Sequence, residues 1–133
     1  MLLLCIEAPD DLDRRWERLL ERLARRLGKP PSLEGVLFLI GLRELGLGYQ
    51  PGLEKEHKQD LVQEGANFAL AALGYLEALG RDPETGFTRW RRQAPLQPLD
   101  TESQERLLRW AIWRYFVTRV WPDLDFEQEG SGL

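Results

Sequence analysis

Apolar residues in the first third of the chain recur with the period of an α-helix. Residues 10–27 place six apolar side chains within about 100° of arc, which predicts an amphipathic helix started by an aspartate cap and ended by Gly28. Residues 32–45 begin with the favourable N-cap Ser32, and their apolar side chains point in nearly every direction. A helix without a polar face belongs at the centre of a fold, so we expect the second helix to lie there.

A third helix is predicted over residues 53–79, ending at Gly80, because a broad apolar stripe runs through this range. Small residues fill its middle, which favours close packing of another helix of the same chain over a seam between two copies. These small residues are Gly65, Ala66, Ala69, Ala71, Ala72 and Gly74.

The stretch that follows is rich in glycine and proline. Residues 80–100 are therefore predicted to be a long irregular connection, with a short extended piece around residues 87–90. Thr101 and Gln104 form a capping box that starts a fourth helix, and Pro122 ends it.

The length and composition of the chain limit the fold to one core. With 133 residues, of which 43% are apolar, two full-sized domains are disfavoured. The elements predict an all-α fold, a compact bundle of four main helices with a long irregular connection between the third and the fourth. Residues 1–122 are expected to form this helical domain, and residues 123–133 an acidic flexible tail.

Charge and cysteine content narrow the class of protein. The net charge of −4 disfavours binding of the molecule as a whole to nucleic acid or to an anionic membrane. The single cysteine excludes an internal disulfide and fits a reducing compartment. No stretch approaches the roughly 20 apolar residues that cross a bilayer, and the first residues lack the features of a signal peptide. We therefore expect a cytoplasmic protein.

The fourth helix has apolar residues on two faces, although one face suffices for one core. If the second face is exposed, its aromatic side chains are of the type that anchors protein interfaces. The alternative is that the first helix, the connection or the N-terminal residues cover it. The predicted partner-binding residues, for a protein partner or for self-association, are Trp110, Trp113, Val117 and Trp121.

The first helix carries a basic stripe opposite its leucines. Residues 14–29 contain seven basic and two acidic residues, so an anionic partner such as RNA is one interpretation. The other interpretation is a solvated face with internal ion pairs such as Glu21 with Arg25. The candidate anion-binding residues are Arg15, Arg18, Arg22 and Arg25.

One Glu-x-x-His motif, formed by Glu54 and His57, has the spacing that places two metal ligands on one helix face, and Glu64 lies along the same edge. Ferritin-like sites need two such motifs, and His57 is the single histidine. The alternative is that Glu54 and its neighbours simply complement the helix dipole. We expect no cofactor, and the sequence contains no phosphate-binding loop or nucleophile motif.

Four segments resemble a family of small uncharacterised bacterial helical proteins without an assigned activity. They are residues 35–46, 58–61, 74–75 and 114–116, and the likeness covers about residues 10–118. The resemblance implies a self-contained bacterial cytoplasmic protein and no particular substrate. A histidine tends to stand in that family where this chain has Gln63, which counts further against a metal site.

Taken together, these features predict a non-enzymatic protein-interaction module, with a homodimer as one form of it. Its surface would be the aromatic face of the last helix. The alternatives are a helical-bundle protein that binds a metal at Glu54 and His57, and a nucleic-acid-associated protein that uses the basic stripe of the first helix.

Overall fold

The computed structural model describes residues 8–46, 53–95 and 99–125, in the order of three helices, a β-hairpin and a fourth helix. The elements are α1 Leu12–Leu27, α2 Leu33–Glu44, α3 Leu53–Ala72, β1 Leu76–Arg81, β2 Thr88–Arg92 and α4 Thr101–Arg119. The prediction of a mostly helical fold with four main helices is confirmed. The prediction of a purely helical fold is wrong, because β1 and β2 form a two-stranded antiparallel sheet.

Two predicted helix boundaries, at Ser32 and Gly28, hold, and two capping predictions fail. Asp11 stands at the start of α1, but its side chain makes no capping hydrogen bond. Ser32 caps α2 by accepting a hydrogen bond from the amide of Gly35 at 3.0 Å, and Gly28 ends α1 in the left-handed conformation at φ +92°. The cap of α4 is Asp100, which accepts from the amide of Ser103 at 2.7 Å. A carboxylate one residue earlier thus takes the role that the sequence assigned to Thr101.

The third helix ends seven residues earlier than predicted, at Ala72 rather than 79. The amide of Tyr75 donates to the carbonyl of Leu70, the amide of Gly74 donates to the carbonyl of Ala71, and Gly74 has φ +92°. This pair of bonds around a left-handed glycine is the Schellman ending of a helix. Gly74 therefore terminates α3 and does not contribute to helix packing as expected.

The residues after this ending form the first strand of the hairpin. Leu76 pairs with Arg92 and Arg81 pairs with Thr88, with a bulge at residue 79 next to Gly80, which has φ +114°. The extended piece predicted around residues 87–90 corresponds to part of β2.

The hairpin is fixed to α3 by a buried carboxylate. Glu64 is 3% exposed and accepts hydrogen bonds from the amide of Thr88 at 2.9 Å and the indole nitrogen of Trp90 at 3.4 Å. The Trp90 ring also packs edge-on against Phe68, with 4.7 Å between ring centroids. A buried carboxylate is stable only when such donors satisfy it, so these contacts hold the hairpin on α3.

The second helix contributes buried residues to the core, but the prediction that it is the central helix is not confirmed: α2 packs mainly against α3, and α3 is the helix that packs against α2, α4 and the hairpin. At the crossing of α2 and α3, the backbones touch at two glycines, Gly41 on α2 and Gly65 on α3. A β-carbon added at Gly65 would lie 1.9 Å from the carbonyl oxygen of Leu37. The expectation that small residues of the third helix admit another helix is therefore confirmed at Gly65.

The last described residues pack onto the first helix. After α4, residues 123–125 form a short helical turn in which Leu124 is fully buried. Asp123 forms an ion pair with Arg22 at 3.0 Å, and Asp125 forms one with Arg15 at 3.2 Å. Residues 123–125, the start of the predicted tail, thus pack against α1. Residues 126–133 lie outside the described residues.

Candidate functional site

The aromatic face of α4 is covered within the subunit. Trp113 is fully buried and Trp110 is 8% exposed, while Val117 and Trp121 are half-buried and packed against the same core. The cover comes from α1, where the guanidinium of Arg15 lies 5.6 Å from the centroid of the Trp113 ring. The expectation that this face offers surplus apolar surface is therefore wrong, and the alternative, coverage by the first helix, is what the structure shows.

The basic stripe of α1 also packs inside the molecule. Arg15 and Arg22 form ion pairs with residues 123–125, and Arg22 lies 5.0 Å from the centroid of the Trp121 ring. Arg18 is half-buried, whereas Arg25 is exposed. The four candidate anion-binding side chains therefore do not form one continuous exposed surface. The hairpin, with Trp90 and its arginines, packs on α3 rather than beside this stripe.

The candidate metal ligands are not brought together. Glu64 accepts its bonds from the hairpin, and His57 is exposed on α3. The side chain of Glu54 lies outside the described residues. Among the side chains that the structure describes, no group of three His, Cys, Asp or Glu residues could hold a metal ion.

A groove open to solvent lies between the C-terminal half of α1, the middle of α2 and the C-terminal end of α4. Its volume is about 210 Å³. The apolar walls are Leu23, Leu27, Leu39, Ile40, Phe116 and Trp121, and the remaining lining residues are Arg26, Arg43 and Tyr115. Leu27, at the edge of the groove, is 47% exposed and extends the apolar walls to the surface. We call this feature the α1/α2/α4 groove.

One wall of the α1/α2/α4 groove is held by a cluster of charged and polar side chains. The side chain of Glu44 is only 8% exposed and accepts hydrogen bonds from Arg43, at 2.8 Å, and from the hydroxyl of Tyr115. Arg43 also donates to the Tyr115 oxygen at 3.0 Å, and Arg119 lies 3.5 Å from the second oxygen of Glu44. The cluster fixes Arg43 and Tyr115, which both line the groove.

Burial and this cluster determine the ionisation of Tyr115. Burial raises the pKa of its hydroxyl well above the usual range, and the hydrogen bond to Glu44 and the charge of that carboxylate raise it further. Arg43 lowers the pKa, but its effect is smaller. Tyr115 therefore stays neutral in the folded protein at pH values where an exposed tyrosine ionises.

We expect the stability of the protein to fall above about pH 10 for this reason. Below that pH, Tyr115 is protonated in both states and its contribution to stability is fully present. Above it, the unfolded chain loses the phenol proton while the folded protein keeps it, which costs up to about 1.4 kcal/mol per pH unit. Denaturant unfolding of the wild type and of Tyr115→Phe at pH 8, 10 and 11 measures the difference. Equal slopes for the two proteins would contradict the assignment.

Sequence reasoning identified one residue of the α1/α2/α4 groove, Trp121, and missed the others. Leu27 is the last residue of the apolar stripe of α1, and Arg26 belongs to its basic stripe. Both are typical of an amphipathic surface helix, so neither indicates a groove. Arg43 and Tyr115 come from helices far apart in sequence, and no local pattern predicts that they meet. One sequence feature could have indicated the groove: Leu27, an apolar residue at the very end of the first helix, next to Gly28.

Comparison with known proteins adds no assignment: no protein-family model, curated protein or solved structure matches the chain. Within the described residues, no helix combines the length and the apolar character that crossing a membrane requires.

Proposed function

We propose that the protein is a non-enzymatic protein-interaction module and that its binding surface is the α1/α2/α4 groove. The observation that supports this most directly is an apolar groove of about 210 Å³ whose edge residue, Leu27, is half exposed. Of the four anchors predicted on the last helix, Trp121 is the one that lines it. The proposal thus keeps the function expected from the sequence and replaces the aromatic face of the last helix with the groove at the C-terminal ends of α1 and α4.

The volume of the α1/α2/α4 groove limits the size of the group that it can bind. Pockets for cofactors and drug-sized ligands usually enclose about 300–1,000 Å³, whereas a cavity of about 150 Å³ accepts a single benzene ring. A volume of about 210 Å³ therefore suits one large apolar side chain. This is the dimension of an anchor residue of a protein partner, since a few such residues supply most of the energy of an interface.

The test uses the isolated side chain as a probe. We expect N-acetyl-tryptophanamide, titrated to several millimolar, to shift the backbone NMR signals of α1 residues 23–27 and of Trp121. Burial of the indole ring supplies about 1.5–3 kcal/mol, so the affinity should be in the millimolar range or weaker. Shifts spread over the surface, or confined to the hairpin, would overturn the proposal.

Two matched substitutions test whether N-acetyl-tryptophanamide binds in the groove. Leu27→Gln removes apolar surface from the edge of the groove and should weaken binding at least about threefold. Leu79→Gln makes the same change at a residue that is 50% exposed on β1, away from the groove, and should leave the affinity unchanged. Equal effects of the two substitutions would show that the groove does not bind the probe.

A further inference from the structure

The walls of the α1/α2/α4 groove carry positive charge. Among the residues that the structure describes, its lining includes Arg26 and Arg43 and no carboxylate. The nearest acid on that wall, Glu44, is buried and lies between two guanidinium groups, those of Arg43 and Arg119. One carboxylate between two guanidinium groups leaves the cluster with a net positive charge. The groove is therefore cationic in a protein whose net charge is −4.

The arginines of α1 differ in whether they form ion pairs within the molecule. Arg15 and Arg22, which do not line the groove, have carboxylate partners in residues 123–125. Arg26, which lines the groove, forms no ion pair with any residue in the described parts of the chain, and its guanidinium lies 5.3 Å from the centroid of the Trp121 ring. Arg26 is thus a cation of the groove wall that no carboxylate of the described residues neutralises, and it is available to a partner.

We propose that the partner of the α1/α2/α4 groove is an acidic protein segment in which carboxylate side chains flank one large apolar side chain. This inference rests on the proposed function and names the chemistry of the partner. The apolar side chain enters the groove, and the flanking carboxylates meet Arg26 and the cationic cluster at Arg43. Complementary charge of this kind selects the partner and speeds its association more than it adds affinity.

The test compares three synthetic peptides of five residues that share a central tryptophan. The flanking residues are glutamate, glutamine or lysine, and binding is followed by the NMR signals of the groove. Exposed ion pairs are weak, so we expect the glutamate peptide to bind about 3- to 10-fold more tightly than the glutamine peptide. The lysine peptide should bind more weakly than both, and the preference should shrink when salt is raised from 20 to 300 mM.

Charge-removing substitutions on α1 test whether the groove causes the preference for the glutamate peptide over the glutamine peptide. Arg26→Gln should reduce the preference for the glutamate peptide to about twofold or less. Arg14→Gln removes the same charge from an exposed position near the start of the same helix and should leave the preference intact. If both substitutions act equally, the preference reflects the overall charge of the molecule, and the inference fails.

The outcomes separate this inference from the proposed function. Equal binding of the glutamate and glutamine peptides at the groove would overturn the acidic partner and leave the interaction module in place. Absence of any peptide signal at the groove would overturn both. Light scattering that shows dimers of the wild type and monomers of Leu27→Gln would identify a second copy of the chain as the occupant, and it would also overturn the acidic partner.

Discussion

Replacing Gly65 with alanine is expected to lower the free energy of unfolding by about 3 kcal/mol or more. The added β-carbon would lie 1.9 Å from the carbonyl oxygen of Leu37, and one added at Gly41 would lie 2.3 Å from that of Leu61. Both obstructing atoms are backbone atoms, so the two helices must move apart, and no side chain can turn away to make room. Thermal unfolding should show a drop in Tm on the order of 10 °C for either variant.

The control for this prediction is a helical glycine that does not lie at the crossing, Gly35 in the first turn of α2. A β-carbon at Gly35 would lie 3.3 Å from its nearest neighbour, the hydroxyl of Ser32. Alanine is also the better helix former by about 1 kcal/mol, so Gly35→Ala should change stability by no more than about 1 kcal/mol in either direction. If Gly65→Ala were as harmless as Gly35→Ala, the helices would not cross as closely as described.

The second large effect is expected at Trp113. Replacing this residue with alanine should cost about 3–5 kcal/mol, because the indole ring is fully buried and its loss leaves a cavity beneath α1. Urea unfolding measures the loss as a lower midpoint. A substitution at Trp113 thus tests the core, although the sequence suggested that it would test a docking surface.

Trp121→Ala provides the comparison, since it removes the same side chain from a half-buried position after the same helix. Less apolar surface returns to water there, so we expect less than half of the loss seen for Trp113→Ala. Equal losses would contradict the difference in burial. The stable Trp121→Ala protein would then also report on the groove, where the N-acetyl-tryptophanamide signal should weaken.

Much of the fold could be predicted because local rules decide it. The amphipathic pattern of α1, the Ser32 cap and the apolar residues on all sides of α2 each favour one local structure, and the structure contains it. The hairpin was missed because residues 73–79 continue the apolar pattern of α3, while Gly74 allows two different interpretations. A glycine inside a helix can admit a neighbour, as Gly65 does, or end the helix, as Gly74 does, and the sequence around them does not distinguish the two.

The candidate site was less predictable because it depends on contacts between distant residues. The surplus apolar face of α4 was a correct observation about that helix alone, and α1 then covered it with arginines stacked on its indole rings. The same pairing explains the basic stripe, since side chains that look solvated on a helical wheel instead cover tryptophans. The α1/α2/α4 groove is the space that remains uncovered after α1 packs against α4. No sequence pattern marks such a space.

The two-glycine crossing also bears on the order in which the chain folds during its synthesis. α2 emerges from the ribosome well before α4, and its apolar side chains then need cover from residues already made or next to appear. α3 follows at once, and its backbone can seat against α2 through Gly41 and Gly65 without waiting for any later segment. We therefore expect the α2/α3 pair to form first and α4 to complete the core afterwards.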